Sequence, residues 1–364
     1  MDPRAAFSVL AVLLPPPAHT FAQAPDPRTP EEYAARAEAA ERAPLFQSEE
    51  PLRMTLRTDI EYIRDERDDE NEVEGTVTFV DLDGSTVTRP VDVRARGNFR
   101  RDPRNCNFPP LRLDFPRGEM AGTVFEGQNR LKLVTPCWDN RDADQRYVYD
   151  EYLAYRIFNL LTSYSYRVRL VEITYEDVEG DYDTRTKHGF LIESDEQMAD
   201  RIRGIYMEAP QMHPRLADGA YSALVAVFNY MIGNLDWSPT FFHNTSLVRL
   251  EGGRYITVPY DFDFSGLVNT RYSGPPPELM GRVKSVRARL FRGYCVPELR
   301  HDLIAATFAP RREAIERLYR EFPHYEDEDH AEDALDYLED FWRVIDDPRQ
   351  FENRILHDCR PLPA

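Results

Sequence analysis

Gly233-Asn234-Leu235-Asp236-Trp237-Ser238-Pro239-Thr240-Phe241-Phe242-His243-Asn244, with Val258-Pro259-Tyr260-Asp261-Phe262-Asp263-Phe264-Ser265-Gly266 a little further on, is the stretch on which the reading of this chain turns. Before it, Ala220 to Ile232 is apolar enough for a helix buried on most sides. Between its halves, Ser246 to Tyr260 reads as a hairpin turning at Gly252-Gly253. An Asp thus opens an irregular loop after a buried helix, an Asn closes it, and the hairpin's second strand ends in another Asp. Phosphoryl transfer needs these parts: a carboxylate to orient the attacking hydroxyl, and an Asn and an Asp to hold Mg2+ against phosphates. Taken singly, each residue has a plainer role. Asp236 suits a helix N-cap, Asp261 to Gly266 a strand end and turn, and His243 a structural histidine.

Working outward, residues 51–193 read mainly as strands. Leu52 to Leu56, Thr76 to Val80, Val91 to Val93, Leu111 to Leu113 and Leu131 to Leu133 alternate apolar and polar side chains. Tyr149 to Leu161 spaces Leu153, Ile157, Leu160 and Leu161 as a helix does, and the strands Tyr166 to Tyr175 and His188 to Glu193 follow. Arg94-Ala95-Arg96-Gly97-Asn98-Phe99-Arg100-Arg101 is a basic turn able to cradle phosphates with guanidinium groups and backbone N–H. Beyond the Pro275-Pro276-Pro277 stretch, amphipathic helices run to the C-terminus.

The order Gly-Asn-x-Asp, His-Asn, strand, Asp-Phe-Asp resembles the core of atypical members of the protein-kinase superfamily. Arg96-Gly97-Asn98, the Leu-Lys-Leu strand, a helix and Phe190-Leu191-Ile192-Glu193 are most similar to the spore-coat (CotH-like) kinases. The resemblance covers roughly residues 90–266 in motif order. It implies an α+β, protein-kinase-like two-lobed fold with a β-rich N-terminal lobe (51–200) and an α-helical C-terminal lobe (201–364). It implies ATP and Mg2+ (or Mn2+) as cofactors. Asp236 matches the catalytic-loop aspartate, Asn244 the metal-binding asparagine, and Asp261 the metal-binding aspartate, with Asp263 its competitor. Lys132 matches the strand lysine that meets phosphates, with Arg112 competing for that role. Glu151 on the following helix would pair with the cation, and Glu193 would mark the adenine edge. In place of a G-x-G-x-x-G loop stands the turn at Arg96 and Gly97.

Composition sets the bounds. Hydrophobic residues make up 42% and aromatics 12%, a globular balance. The formal net charge of −19 argues against a nucleic-acid partner and requires any phosphate site to be a local basic pocket. Arg4, the apolar run Ala5 to Leu14 and Ala22-Gln23-Ala24 read as an export signal over residues 1–24, the other reading being a Pro-rich tail. Residues 25–50 read as a linker, and no later stretch is apolar for long enough to span a membrane. Four cysteines in a secreted or periplasmic chain suggest two disulfides. Of the three connectivities, Cys106–Cys137 with Cys295–Cys359 is the economical one. The expected function is phosphotransfer to a hydroxyl of a protein substrate. Adenylyl transfer is a variant of it, and a non-catalytic envelope scaffold is the alternative.

Overall fold

Alternation of apolar and polar residues decides the first half of the chain. A computed structural model describes residues 27–116, 118–325 and 328–363; the expected export signal lies outside them. β1 (Leu52–Thr58), β2 (Val73–Val80), β3 (Thr86–Ala95), β4 (Leu111–Asp114), β5 (Arg130–Val134), β6 (Val168–Asp177) and β7 (Arg185–Ile192) form a closed barrel in the order β1-β2-β3-β4-β5-β7-β6. Every second side chain points inward, so Leu56, Val77, Val93, Leu113, Leu133, Ile173 and Leu191 pack one core. Antiparallel ladders join neighbours until the last pair, where β1 meets β6 in parallel with Leu52 opposite Val171.

This architecture corrects the two-lobed kinase fold expected from the resemblance. The β-rich half is a closed mixed barrel, and the second half is not wholly helical. It holds an antiparallel sheet in the order β10-β9-β8, made of β8 (Gly204–Met207), β9 (Thr245–Leu250) and β10 (Tyr255–Pro259). Period-two alternation tells which face of a strand is buried, not which distant strand lies beside it. The parallel β1–β6 ladder that closes the barrel was therefore invisible.

The helices are α1 (Pro30–Arg42), α2 (Ile60–Glu66), α3 (Gln145–Leu161), α4 (Asp195–Arg201), α5 (Gly219–Ile232), α6 (His301–Phe308), α7 (Arg312–Arg320), α8 (Glu328–Asp346) and α9 (Pro348–Phe351). α3 lies against β6 and β7 and joins a second core with α5, α8 and the small sheet, containing Phe158, Phe228, Phe262 and Trp342. Within the stretch read as a linker, α1 starts in a capping box between Thr29 and Glu32 and buries Tyr33 and Ala40. No described helix is long and apolar enough to cross a membrane.

Both economical disulfides form. Cys106 and Cys137 have Cα atoms 4.8 Å apart, and Cys295 and Cys359 have theirs 5.1 Å apart. The first bridge ties the ends of the β4–β5 segment, 31 residues apart in sequence. Replacing Cys106 and Cys137 by Ser should cost about 3 kcal/mol through the freed unfolded chain. The denaturant midpoint reads this, and an unchanged midpoint would contradict it.

Candidate functional site

The irregular loop is built by its small and polar residues. α5 ends at Gly233, whose φ of 65° reverses the chain where an added Cβ would meet the Tyr337 hydroxyl at 1.9 Å. Buried Asn234 donates from Nδ2 to Asn229 Oδ1 at 2.9 Å and accepts the Asp236 amide on its own Oδ1 at 2.9 Å. Paired backbone bonds between Ser238 and His243 then fold the loop tip. Asn244, at φ 51°, turns its Nδ2 back onto the Asp236 carbonyl (2.8 Å) and Oδ2 (3.1 Å). His243 Nε2 lies 2.8 Å from Asp236 Oδ1, and that contact, with further help from Asp261, raises the imidazole pKa.

The hairpin brings the last Asp to the same place. Tyr260 donates its amide to the Asn244 carbonyl at 3.0 Å, so Asp261 follows directly beside Asn244. Asp261 sits in left-handed backbone (φ 63°) and donates its amide to the Tyr155 hydroxyl of α3 at 2.9 Å.

Behind it lies a buried acidic cluster. Glu151 and Asp263 are 2% and 5% exposed, and Arg100 is 9% exposed. Burial, then the Asp261 charge, pushes Asp263 up to about 8, against Arg100 and a 2.9 Å hydrogen bond from the Tyr272 hydroxyl. Burial also drives Glu151 well above the carboxylate range, with Asp263 and Asp261 adding to it and Arg100 and Arg96 opposing. Carboxylates gathered out of water favour a cation among them. Asn244 commits its Nδ2 to Asp236, which leaves the amide oxygen as its available metal donor. With Asp261 and Asp263 it makes a hard-oxygen set suited to Mg2+ or Mn2+. Among the described residues no group of three or more His, Cys, Asp or Glu is arranged to hold a metal ion. A nucleotide-bound Mg2+ needs only one or two carboxylates, because phosphates and water complete its shell.

These raised carboxylates set a pH dependence. Asp263 is protonated in the fold at pH values where the unfolded chain carries an ionised Asp. The unfolded state then binds fewer protons, so stability falls as pH rises from about 4 towards about 8, by up to about 1.4 kcal/mol per unit. Urea midpoints across this window should decline less steeply in Asp263→Asn than in the wild type. An unchanged slope would contradict the assignment.

Asp236, Asn244, Asp261, Asp263 and Glu151 thus come together, with Arg96 acting on Glu151 and on Tyr260. Lys132 stands next to them, its Nζ 4.6 Å from the Tyr260 ring centre. Gly97 is exposed at φ 82° with open space around it. Two expected contacts are corrected. Neither Lys132 nor Arg112 has Glu151 among its ion-pair partners: Lys132 reaches Asp195 at 3.2 Å and Arg112 reaches Asp114 at 3.0 Å. The cations acting on Glu151 are Arg100 and Arg96, from the basic turn. Glu193 is fully buried between Arg167 and Arg201, each at 2.9 Å, and serves the fold. Glu193→Ala should therefore cost about 3–5 kcal/mol by stranding those guanidiniums. A loss of ligand binding with stability unchanged would restore it to the site. Tyr155, Asp195, Tyr260 and Tyr272 carry no site signal in the sequence, and Arg100 carries one only as part of the basic run.

A cavity of about 660 Å³ opens beside Asp114, lined also by Phe115, Asn129, Arg130, Ser194 and Gln197. Gln197 is 9% exposed and its Oε1 has no hydrogen-bond partner. Compared with known proteins, the chain matches no protein-family model and no curated protein.

Proposed function

We propose that this protein is an exported phosphotransferase that uses ATP and a divalent metal to modify a hydroxyl of a protein substrate. The reading rests on side-chain chemistry and not on fold class. One observation carries it: Asp236, Asn244 and Asp261 belong to a single hydrogen-bonded unit, joined by Asn244 Nδ2 to Asp236 and by the Tyr260 amide to the Asn244 carbonyl. Asn244, Asp261 and Asp263 would hold the metal, which would supply positive charge to neutralise the phosphates. Asp236, half-buried and steadied by His243, is the carboxylate that orients the substrate hydroxyl and takes its proton. Arg96 and Lys132 attract the phosphates. Two disulfides suit an oxidising compartment.

The test is to incubate the protein with ATP, Mg2+ and a library of Ser-, Thr- and Tyr-containing peptides and weigh the products. A phosphoryl increment supports the reading, and an adenylyl increment supports its reversed-nucleotide variant. ATP binding without either increment makes the protein a binding scaffold. No ATP binding overturns the proposal.

A further inference from the structure

On the outer face of the barrel three cations stand side by side. Arg94 is directly opposite Arg112 across β3–β4, and Arg112 is directly opposite Lys132 across β4–β5. Cross-strand neighbours share a face, and like charges in direct opposition destabilise a sheet. Strands are spaced about 4.8 Å apart, so the row spans about 10 Å. That span suits a linear chain of phosphates better than one phosphate.

Two of the three cations have poor partners, while Lys132 hydrogen-bonds to Asp195. Arg94 is 3.7 Å from Glu72, Arg112 Nε is 3.0 Å from Asp114 Oδ2, and Lys132 is 3.2 Å from Asp195. The first two pairs lack hydrogen-bond alignment: Arg94 Nε, Arg112 Nε and Nη2, and Asp114 Oδ2 are buried with no hydrogen-bond partner. The three cationic side chains stay 19%, 21% and 24% exposed, so a ligand can reach them. An anion offering several oxygens per unit would meet the exposed parts of these three side chains together.

We infer that Arg94, Arg112 and Lys132 form a rail for a linear polyphosphate, and that Glu72 and Asp114 are stand-in anions which give way when it binds. The inference extends the nucleotide reading, since the triphosphate of ATP is such a chain, but the rail acts on the phosphates alone. It predicts selectivity by chain length and binding that needs no metal.

The experiment titrates inorganic phosphate, pyrophosphate and tripolyphosphate into the whole protein in metal-free buffer, by calorimetry at low salt. Affinity should rise with each added phosphate. Arg112→Met should weaken tripolyphosphate about tenfold or more, the loss expected for one charged contact. Arg53→Met, on the exposed side of β1, should change nothing. Asp114→Asn, which removes one stand-in anion, should tighten binding. Equal affinity for the three anions in the wild-type protein overturns the inference without recourse to any variant, as does tripolyphosphate binding that Arg112→Met leaves intact. The nucleotide reading fails separately, if ATP with Mg2+ does not bind while tripolyphosphate does.

Discussion

On the proposed function, saturating ATP and Mg2+ should raise the unfolding midpoint of the wild-type protein, and Asp261→Ala should remove that rise. A ligand at a hundred times its Kd stabilises a fold by about 2.7 kcal/mol, a shift of a few degrees for a chain of this size. Asp261 brings a carboxylate beside Asn244 at the hairpin's end, with its amide fixed by Tyr155. Its left-handed backbone complicates the alanine variant, since Ala at positive φ is strained. Asp261→Asn tolerates that backbone and removes only the charge. Both variants should lose the shift. If Asp261→Asn keeps all of it, Asp261 does not hold the metal.

Asp236→Asn has the opposite signature. ATP and Mg2+ should bind as in the wild type, while turnover falls by about 10²–10⁴, the usual contribution of a positioned proton acceptor. Asp236 meets Asn244 through Asn244 Nδ2, so the amide oxygen proposed to hold the metal does not depend on it. Steady-state kinetics together with calorimetry separate the two effects. Loss of binding in parallel with loss of turnover would instead make Asp236 part of the metal site.

The parts of this molecule legible in the sequence are those set by short-range rules. Alternation located β1, β4 and β5, because one face of each packs the barrel core. The hairpin from Ser246 to Tyr260 announced itself by Gly252-Gly253 between two apolar runs, and it brings Asn244 and Asp261 together. The Cys106–Cys137 pairing followed from cysteines flanking a two-strand segment. Long-range geometry was not legible. Nothing local to Leu52–Thr58 names Val168–Asp177 as its parallel neighbour, so the closed barrel went unseen. Partner choice failed for the same reason. Lys132 was expected on Glu151, yet Asp195, at the start of α4, is brought to it by Tyr166 and Ser246. Glu193 ended an apolar strand as a site residue would. Its two arginines, one immediately before β6 and one at the end of α4, hold it within the fold.

The central claim is that Asn244, Asp261 and Asp263 face one divalent cation. Anomalous scattering from Mn2+ in crystals grown with a non-hydrolysable ATP analogue tests it most directly. The expected result is a peak about 2.2 Å from an Asp261 oxygen and from Asn244 Oδ1, with Asp263 in or beside the shell and phosphate oxygens completing it. A nucleotide bound with its Mn2+ away from Asp261 and Asp263, or bound elsewhere on the protein, would contradict the account.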